Sequence, residues 1–192
     1  MDPTLARQLL GLARWTLERW SAGLPWREGG PALHGTVDTP VDGLFVTLRA
    51  GGALRGCIGT VARQPSLDAT LRDMAVKAAA SDPRFPPVTA DELAGLHISV
   101  SILTPPTPVD DPGEILVGRD GLILERRSRK RLLLPEVASD YGWDRDRFLD
   151  EVCQKAFLPP GAWREADARL YRFQSEHAGE DEPSDPPRNP PA

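Results

Sequence analysis

The segment His97-Ile98-Ser99-Val100-Ser101-Ile102-Leu103 alternates polar and aliphatic residues with period two. Successive side chains of an extended strand point to opposite faces, so this run carries one aliphatic and one polar face. It is the clearest strand in the chain, and the rest of the sequence has to be arranged around it. Leu44 to Leu48 and Leu54 to Ile58 read as two further strands joined across Arg49 to Ala53, where Gly51-Gly52 supplies the positive φ of a tight hairpin turn. Helical spacing appears in two places before the alternating strand. Asp2 and Pro3 open a helix with Leu5, Leu9, Leu12 and Ala13 on one stripe, flanked by Trp15 and Trp20 and stopped near Gly23. Ser66 caps another with Leu67, Leu71, Met74, Ala75 and Ala78 inside. Leu24 to Asp42, rich in Gly and Pro, reads as loop, and Asp82 to Pro87 ends the second helix because proline cannot continue the hydrogen-bond ladder.

Beyond the alternating strand, a short helical turn around Asp91 to Leu93 lies just upstream and a proline-rich link, Thr104 to Pro108, just downstream. Ile115 to Val117, a turn Gly118 to Gly121, Leu122 to Arg126 and Leu132 to Leu134 suggest a small meander with a basic tip. Pro135 and Gly142 bracket a short helix. Asp144 caps a longer one with Phe148, Leu149, Val152, Cys153 and Ala156 on its inner stripe, and Leu170 to Phe173 resembles a final strand. Strands and helices mix without regular βαβ alternation, which predicts an α+β fold with a largely antiparallel sheet and flanking helices. Residues 1–175 are expected to form the domain and residues 176–192, acidic and proline-rich, a disordered tail.

Composition excludes more than it assigns. The chain has 192 residues, 40% hydrophobic and 27% charged, with a formal charge of −5. That balance disfavours a general polyanion binder, and nucleic acid is not the expected partner. No apolar run approaches a membrane span and no secretory signal opens the sequence, so a cytoplasmic protein is expected. The two cysteines lie far apart and form no CxxC pair. No His or carboxylate pair has metal-ligand spacing, and neither GxGxxG nor a Walker lysine is present, so no metal or cofactor site is predicted.

The stretch Arg55-Gly56-Cys57-Ile58-Gly59 stands out. On a regular strand Arg55, Cys57 and Gly59 share one side, with a guanidinium roughly 7 Å along the strand from the thiol, close enough to favour the thiolate. Gly59 removes a side chain on that side and would leave room for a ligand or a second backbone. Against this stands the simpler reading that an isolated cysteine is a small buried hydrophobe. Cys153, on an apolar helix stripe, reads as packing. His97 is a base or a hydrogen-bonded surface residue, and His34 and His177 fall in loop and tail. Asp82 and Arg84 form a structural turn with a local ion pair, or Arg84 lines a pocket for an acidic group. The run Arg126 to Arg131 most simply solvates a hairpin tip, with a nucleic-acid-associated module using that tip as the lesser alternative.

Taken together these blocks resemble the AMMECR domain family, whose prokaryotic members are called AmmeMemoRadiSam system protein A. The matching pieces are GLFVTL, GALRGCIGT, AVKAAASDPRFPPV, ELAGLHISVSILTPP, VGRDGLIL, LLLPEVASDYGWD, FLDEVCQKAFLPPGAW and LYRF, from about Ala6 to Phe173. The resemblance implies an α+β fold with a larger and a smaller lobe and a cleft between them, with function suspected at Leu54 to Gly59. It also implies a genomic association with a Memo-like protein and a radical SAM enzyme, which are the expected partners. On that reading Cys57 is a nucleophile or attachment point assisted by Arg55, and Gly56, Gly59, Asp82 and Arg84 belong to the cleft. The rival reading is a non-catalytic binding or scaffold module in which Cys57 only packs. Glu136 stands where the family more often has glutamine, and Phe157 where it has glycine.

Overall fold

The structure, a computed structural model, describes residues 1–34 and 39–180. In chain order its elements are α1 (Pro3–Ser21), β1 (Leu44–Ala50), β2 (Ala53–Thr60), α2 (Leu67–Ala80), β3 (Leu96–Leu103), β4 (Thr107–Pro108), β5 (Gly121–Arg126), β6 (Arg129–Leu133), α3 (Pro135–Asp140), α4 (Arg145–Lys155), β7 (Ala168–Phe173) and β8 (Ser175–Gly179). Short 3-10 turns at Ala90–Gly95, Pro112–Glu114 and Ala162–Arg164 complete them. The fold is α+β. Two compact units divide the chain: Met1–Leu103 together with the residues from Glu176, and Thr104–Ser175.

The first unit is built on a four-stranded sheet in the order β2-β1-β3-β8. β1 pairs antiparallel with both β2 and β3, and Gly51 and Gly52 turn the hairpin at φ of 55° and 81°. Val46 on β1 stands opposite Ile58 and Val100, and Leu48 opposite Gly56 and Ile98, so period-two alternation sends one face of the sheet to the core. Leu9, Leu12 and Leu17 of α1 and Leu71, Ala75 and Ala78 of α2 belong to the same core cluster as that face. The Asp2 carboxylate accepts from the backbone N–H of Thr4 and Leu5, and the Ser66 hydroxyl accepts from Ala69 N–H, which satisfies donors the helices leave open. The glycine-rich segment after α1 is tied down by Arg72, buried at 4% exposure. Its guanidinium pairs with Asp68 and donates to the Trp26 and Gly29 carbonyls.

The second unit carries the sheet β4-β7-β5-β6 with α4 packed on it. Ile115, Leu122, Leu124, Phe148, Leu149, Val152 and Cys153 form its core. Two expectations change here. Ile115 to Val117 is not a strand: Ile115 is fully buried after a 3-10 turn, while Leu116 and Val117 lie in an exposed turn. Asp120 holds that turn by accepting from Leu116 N–H at 2.9 Å, and local capture of the backbone outcompetes pairing. The proline link contains the two-residue edge strand β4 instead, a place where a missing N–H is tolerated.

The tail boundary also moves. Residues from Glu176 were expected to be disordered, yet β8 runs to Gly179 beside β3. Glu180 anchors its end: the carboxylate takes Arg14 and accepts from Ile98 N–H at 2.9 Å, while Glu180 N–H donates to Ile98 O at 3.0 Å. Arg14 in turn donates to the Leu93 and Leu96 carbonyls at 2.7 and 2.6 Å. Composition missed this because the ordering energy comes from main-chain pairing and the charged contacts of Glu180 with Arg14 and of Glu176 with the Met1 ammonium, more than from apolar burial. The remainder of the expected tail, 181–192, lies outside the described residues. Ending the chain at Glu176 should therefore lower the thermal midpoint by at least about 4 °C, the equivalent of 1–2 kcal/mol for a domain of this size. An unchanged midpoint in a thermal melt would show that β8 contributes no stability.

Candidate functional site: the Cys57 strand

β2 is an edge strand, so half of its main-chain groups need partners from outside the ladder. The ladder is irregular at the motif. Leu48 pairs with Gly56 but Arg49 with Leu54, which leaves Arg55 as the extra residue of a β-bulge. A bulge re-aims its side chain, and the Arg55 guanidinium is committed. Nε and Nη2 donate to the two Glu92 carboxylate oxygens at 2.8 and 3.1 Å, and Nη1 donates to Pro86 O at 2.8 Å. Glu92 also accepts from Thr89 N–H at 2.7 Å. Arg55, then Thr89, hold its carboxyl down from 4.5 to about 2. The guanidinium expected to assist Cys57 is already paired with a carboxylate of the chain itself.

The glycines are equally occupied. A Cβ on Gly56 would lie 2.1 Å from the Ala78 carbonyl oxygen, so Gly56 is where the backbone of α2 meets the strand. A Cβ on Gly59 would lie 2.3 Å from the Phe45 ring and 2.5 Å from Leu44 O. The space expected beside Gly59 for a ligand is filled by that ring, since Phe45 is its cross-strand partner.

Asp82 and Arg84 close the edge of β2 at Cys57. The Asp82 carboxylate, 4% exposed, accepts from Cys57 N–H at 2.8 Å, and Arg84 Nη2 donates to Cys57 O at 3.4 Å. Between them Arg84 Nε and Nη2 donate to Asp82 at 2.9 and 2.7 Å. The pair thus imitates the missing neighbouring strand at one residue. Arg84 is the main reason the Asp82 carboxyl lies well below the usual range; burial opposes this and the Cys57 N–H reinforces it. Asp82 likewise raises Arg84.

Cys57 itself stands opposite Thr47, and Thr47 opposite Ser99 on β3. These three side chains form a row on the face of the sheet away from Val46 and Val100. The next row holds Gly59, Phe45 and Ser101, with His177 of β8 at 3.2 Å from Ser101 Oγ through its Nδ1. Cys57 is half-buried, and the Thr47 hydroxyl donates to its sulfur at 3.2 Å. Cys153, in contrast, is fully buried on α4, and burial pushes its thiol up. His97 sits beside Arg49 on the same polar face. Thr47, Glu92, Ser101 and His177 were absent from the sequence-based site. Only Glu92 left a sequence signal, three residues after Thr89 as in a helix-opening capping box.

Beside the far end of β2 lies a concavity of about 450 Å³, lined among others by Ile58, Thr60, Gln64, Thr70, Met74 and Lys77. Among the described residues no three His, Cys, Asp or Glu side chains gather as a metal site requires, and no helix is long and apolar enough to cross a membrane.

The chain is similar to several known proteins. A protein of Thermococcus gammatolerans is 41% identical over 95% of this chain and 94% of its own length. One of Thermococcus kodakarensis is 44% identical over 80% and 82%. The crystal structure of the uncharacterised protein PH0010 from Pyrococcus horikoshii superposes with a TM-score of 0.82 at 36% identity, covering 100% of this chain and 99% of that one. The AMMECR1 family model matches residues 11–178. The protein belongs to the AMMECR1 family.

Proposed function

We propose that the protein presents Cys57 as an attachment or contact point in a modification reaction carried out with Memo-like and radical SAM partners. The observation that carries this reading is the contrast at Cys57: its main chain is clamped by Asp82 and Arg84 while the residue is only half-buried. A rigid strand that offers one soft, polarizable group is suited to holding something in a fixed place. The thiol's hydrogen-bond partner is the Thr47 hydroxyl, which is no general base at neutral pH, so the geometry favours attachment or contact over turnover by Cys57 alone. Co-expression with Memo-like and radical SAM proteins, followed by affinity purification and intact-mass analysis, tests it. The expected result is co-purification or an added mass on Cys57, lost in Cys57→Ala. An unmodified thiol and a Cys57→Ala variant that behaves as wild type would overturn it.

The concavity beside β2 favours a second reading, a binding module for a partner protein in which Cys57 is incidental. There, Ala69→Trp at the concavity abolishes co-purification while Cys57→Ala leaves it intact.

A further inference from the structure

We propose that Phe157, Arg131 and Lys155 form a nucleotide-binding ledge at the C-terminal end of α4, with a base stacked on the ring and phosphate held by the two cations. Phe157 carries the argument. α4 ends in a Schellman motif, with Phe157 N–H donating to Gln154 O at 2.8 Å and Leu158 N–H to Cys153 O at 3.0 Å. That motif puts its C′ residue in the left-handed region, where glycine is the unstrained choice. Phe157 occupies it at φ 58° and is 74% exposed, the most exposed large hydrophobic residue described. A strained backbone and an aromatic ring held in water both work against stability, and neither is repaid by packing in the core.

The charges around the ring complete the site. From sequence the basic tip solvates a hairpin or, as the lesser alternative, contacts nucleic acid. Part of it does the first: Arg126 and Arg127 pair with Asp167, and Lys130 pairs with Glu125. Arg129 caps the helix by donating to the Phe157 carbonyl. Arg131 shares its strand face two residues on, and its guanidinium carbon lies 5.9 Å from the Phe157 ring centroid. Among the described residues no carboxylate pairs with Arg131 or Lys155. Shielding by surrounding protein, and then the charge of Arg131, push Lys155 below the usual lysine range. An exposed ring with Arg131 over it, and Lys155 within electrostatic reach of Arg131, supplies the elements that hold nucleotides: a flat platform for a base and cations for the phosphate. The ledge needs neither a glycine-rich phosphate loop nor a basic net charge, the two features whose absence argued against nucleotides from sequence.

The test is fluorescence anisotropy with the full-length protein, using a short fluorescein-labelled oligoadenylate and, separately, a fluorescent ATP analogue. Wild type should bind at least one of them with an affinity that falls as salt rises; binding of the oligomer alone assigns a single-stranded polymer, and of the analogue a free nucleotide. Phe157→Gly should weaken binding at least about fivefold, the loss of one stacked base, and raise the thermal midpoint by about 2–4 °C by relieving the backbone. Arg131→Gln should lower the salt slope by about one. Absence of binding to both probes at low salt, or binding that Phe157→Gly leaves unchanged, overturns the proposal.

Discussion

Gly56→Val is expected to abolish the native fold. The Cβ of any side chain at this position would lie 2.1 Å from the Ala78 carbonyl oxygen and 3.1 Å from its carbon. Both are backbone atoms of α2, so no rotamer change relieves the clash, and the helix has to lift off β1 and β2. Overpacking that a core absorbs by side-chain movement costs about 1–3 kcal/mol. Here the helix carrying Leu71, Ala75 and Ala78 has to move, and the loss approaches the total stability of about 5–15 kcal/mol typical of a domain. Gly56→Ala, with one carbon only, should already unfold at clearly lower urea concentration. Gly11 in α1 is the control: a Cβ there meets nothing within 4 Å, and Gly11→Ala should gain about 0.5–1 kcal/mol. A Gly56→Ala variant as stable as wild type would remove the close approach of α2 from the account.

Asp82→Asn is the second large effect, and it carries a pH signature. The variant keeps a carbonyl for Cys57 N–H but loses the charge that Arg84 grips and turns N–H donors toward it. Leaving a buried partner unsatisfied costs about 1–3 kcal/mol. The solvent exposure of Arg84, 54%, keeps the figure below that of a fully buried broken pair. In the folded protein the Asp82 carboxyl titrates well below its ordinary 3.8. Its stabilisation is therefore complete above the ordinary value and is lost as pH falls through the folded one. The wild type and Asp82→Asn should differ fully at neutral pH and converge below about pH 4. Glu92 acts in the same direction between 4.5 and about 2, with a smaller effect because it is more exposed. Urea unfolding across that range checks the sign, and a difference that grows on acidification would contradict the geometry.

The fold was legible wherever local chemistry and final structure agree. Asp2 and Ser66 open their helices as expected, Gly51-Gly52 turns the hairpin, and the alternation at His97 to Leu103 marks β3. Half of the site was not legible, for a reason that the hairpin makes plain. Counting back from the turn, where Ala50 pairs with Ala53, a regular ladder sets Thr47 opposite Gly56. The bulge at Arg55 shifts the register by one and brings Thr47 opposite Cys57 instead. One inserted residue decides both what touches the thiol and where the guanidinium points, and nothing in the residue types announces it. His177 escaped for another reason: the segment that carries it is poor in apolar residues and is held by Glu180 and by pairing with β3. Asp82 and Arg84 were noted as a turn pair, but that they close the edge at Cys57 follows only from the sheet order.

Cys57 is half-buried on a strand whose edge Asp82 and Arg84 close and whose Arg55 pairs with Glu92, and its thiol is expected to be open to reagents. Alkylation of the native protein with iodoacetamide over a pH series, read at each cysteine by mass spectrometry, tests it directly. Cys57 should label in the folded protein, and Cys153, fully buried on α4, only after unfolding. Arg55→Leu should leave the Cys57 rate within about twofold, because that guanidinium already answers the Glu92 carboxylate. Should Cys57 resist alkylation as completely as Cys153 until the protein unfolds, the thiol is packing and the attachment reading fails.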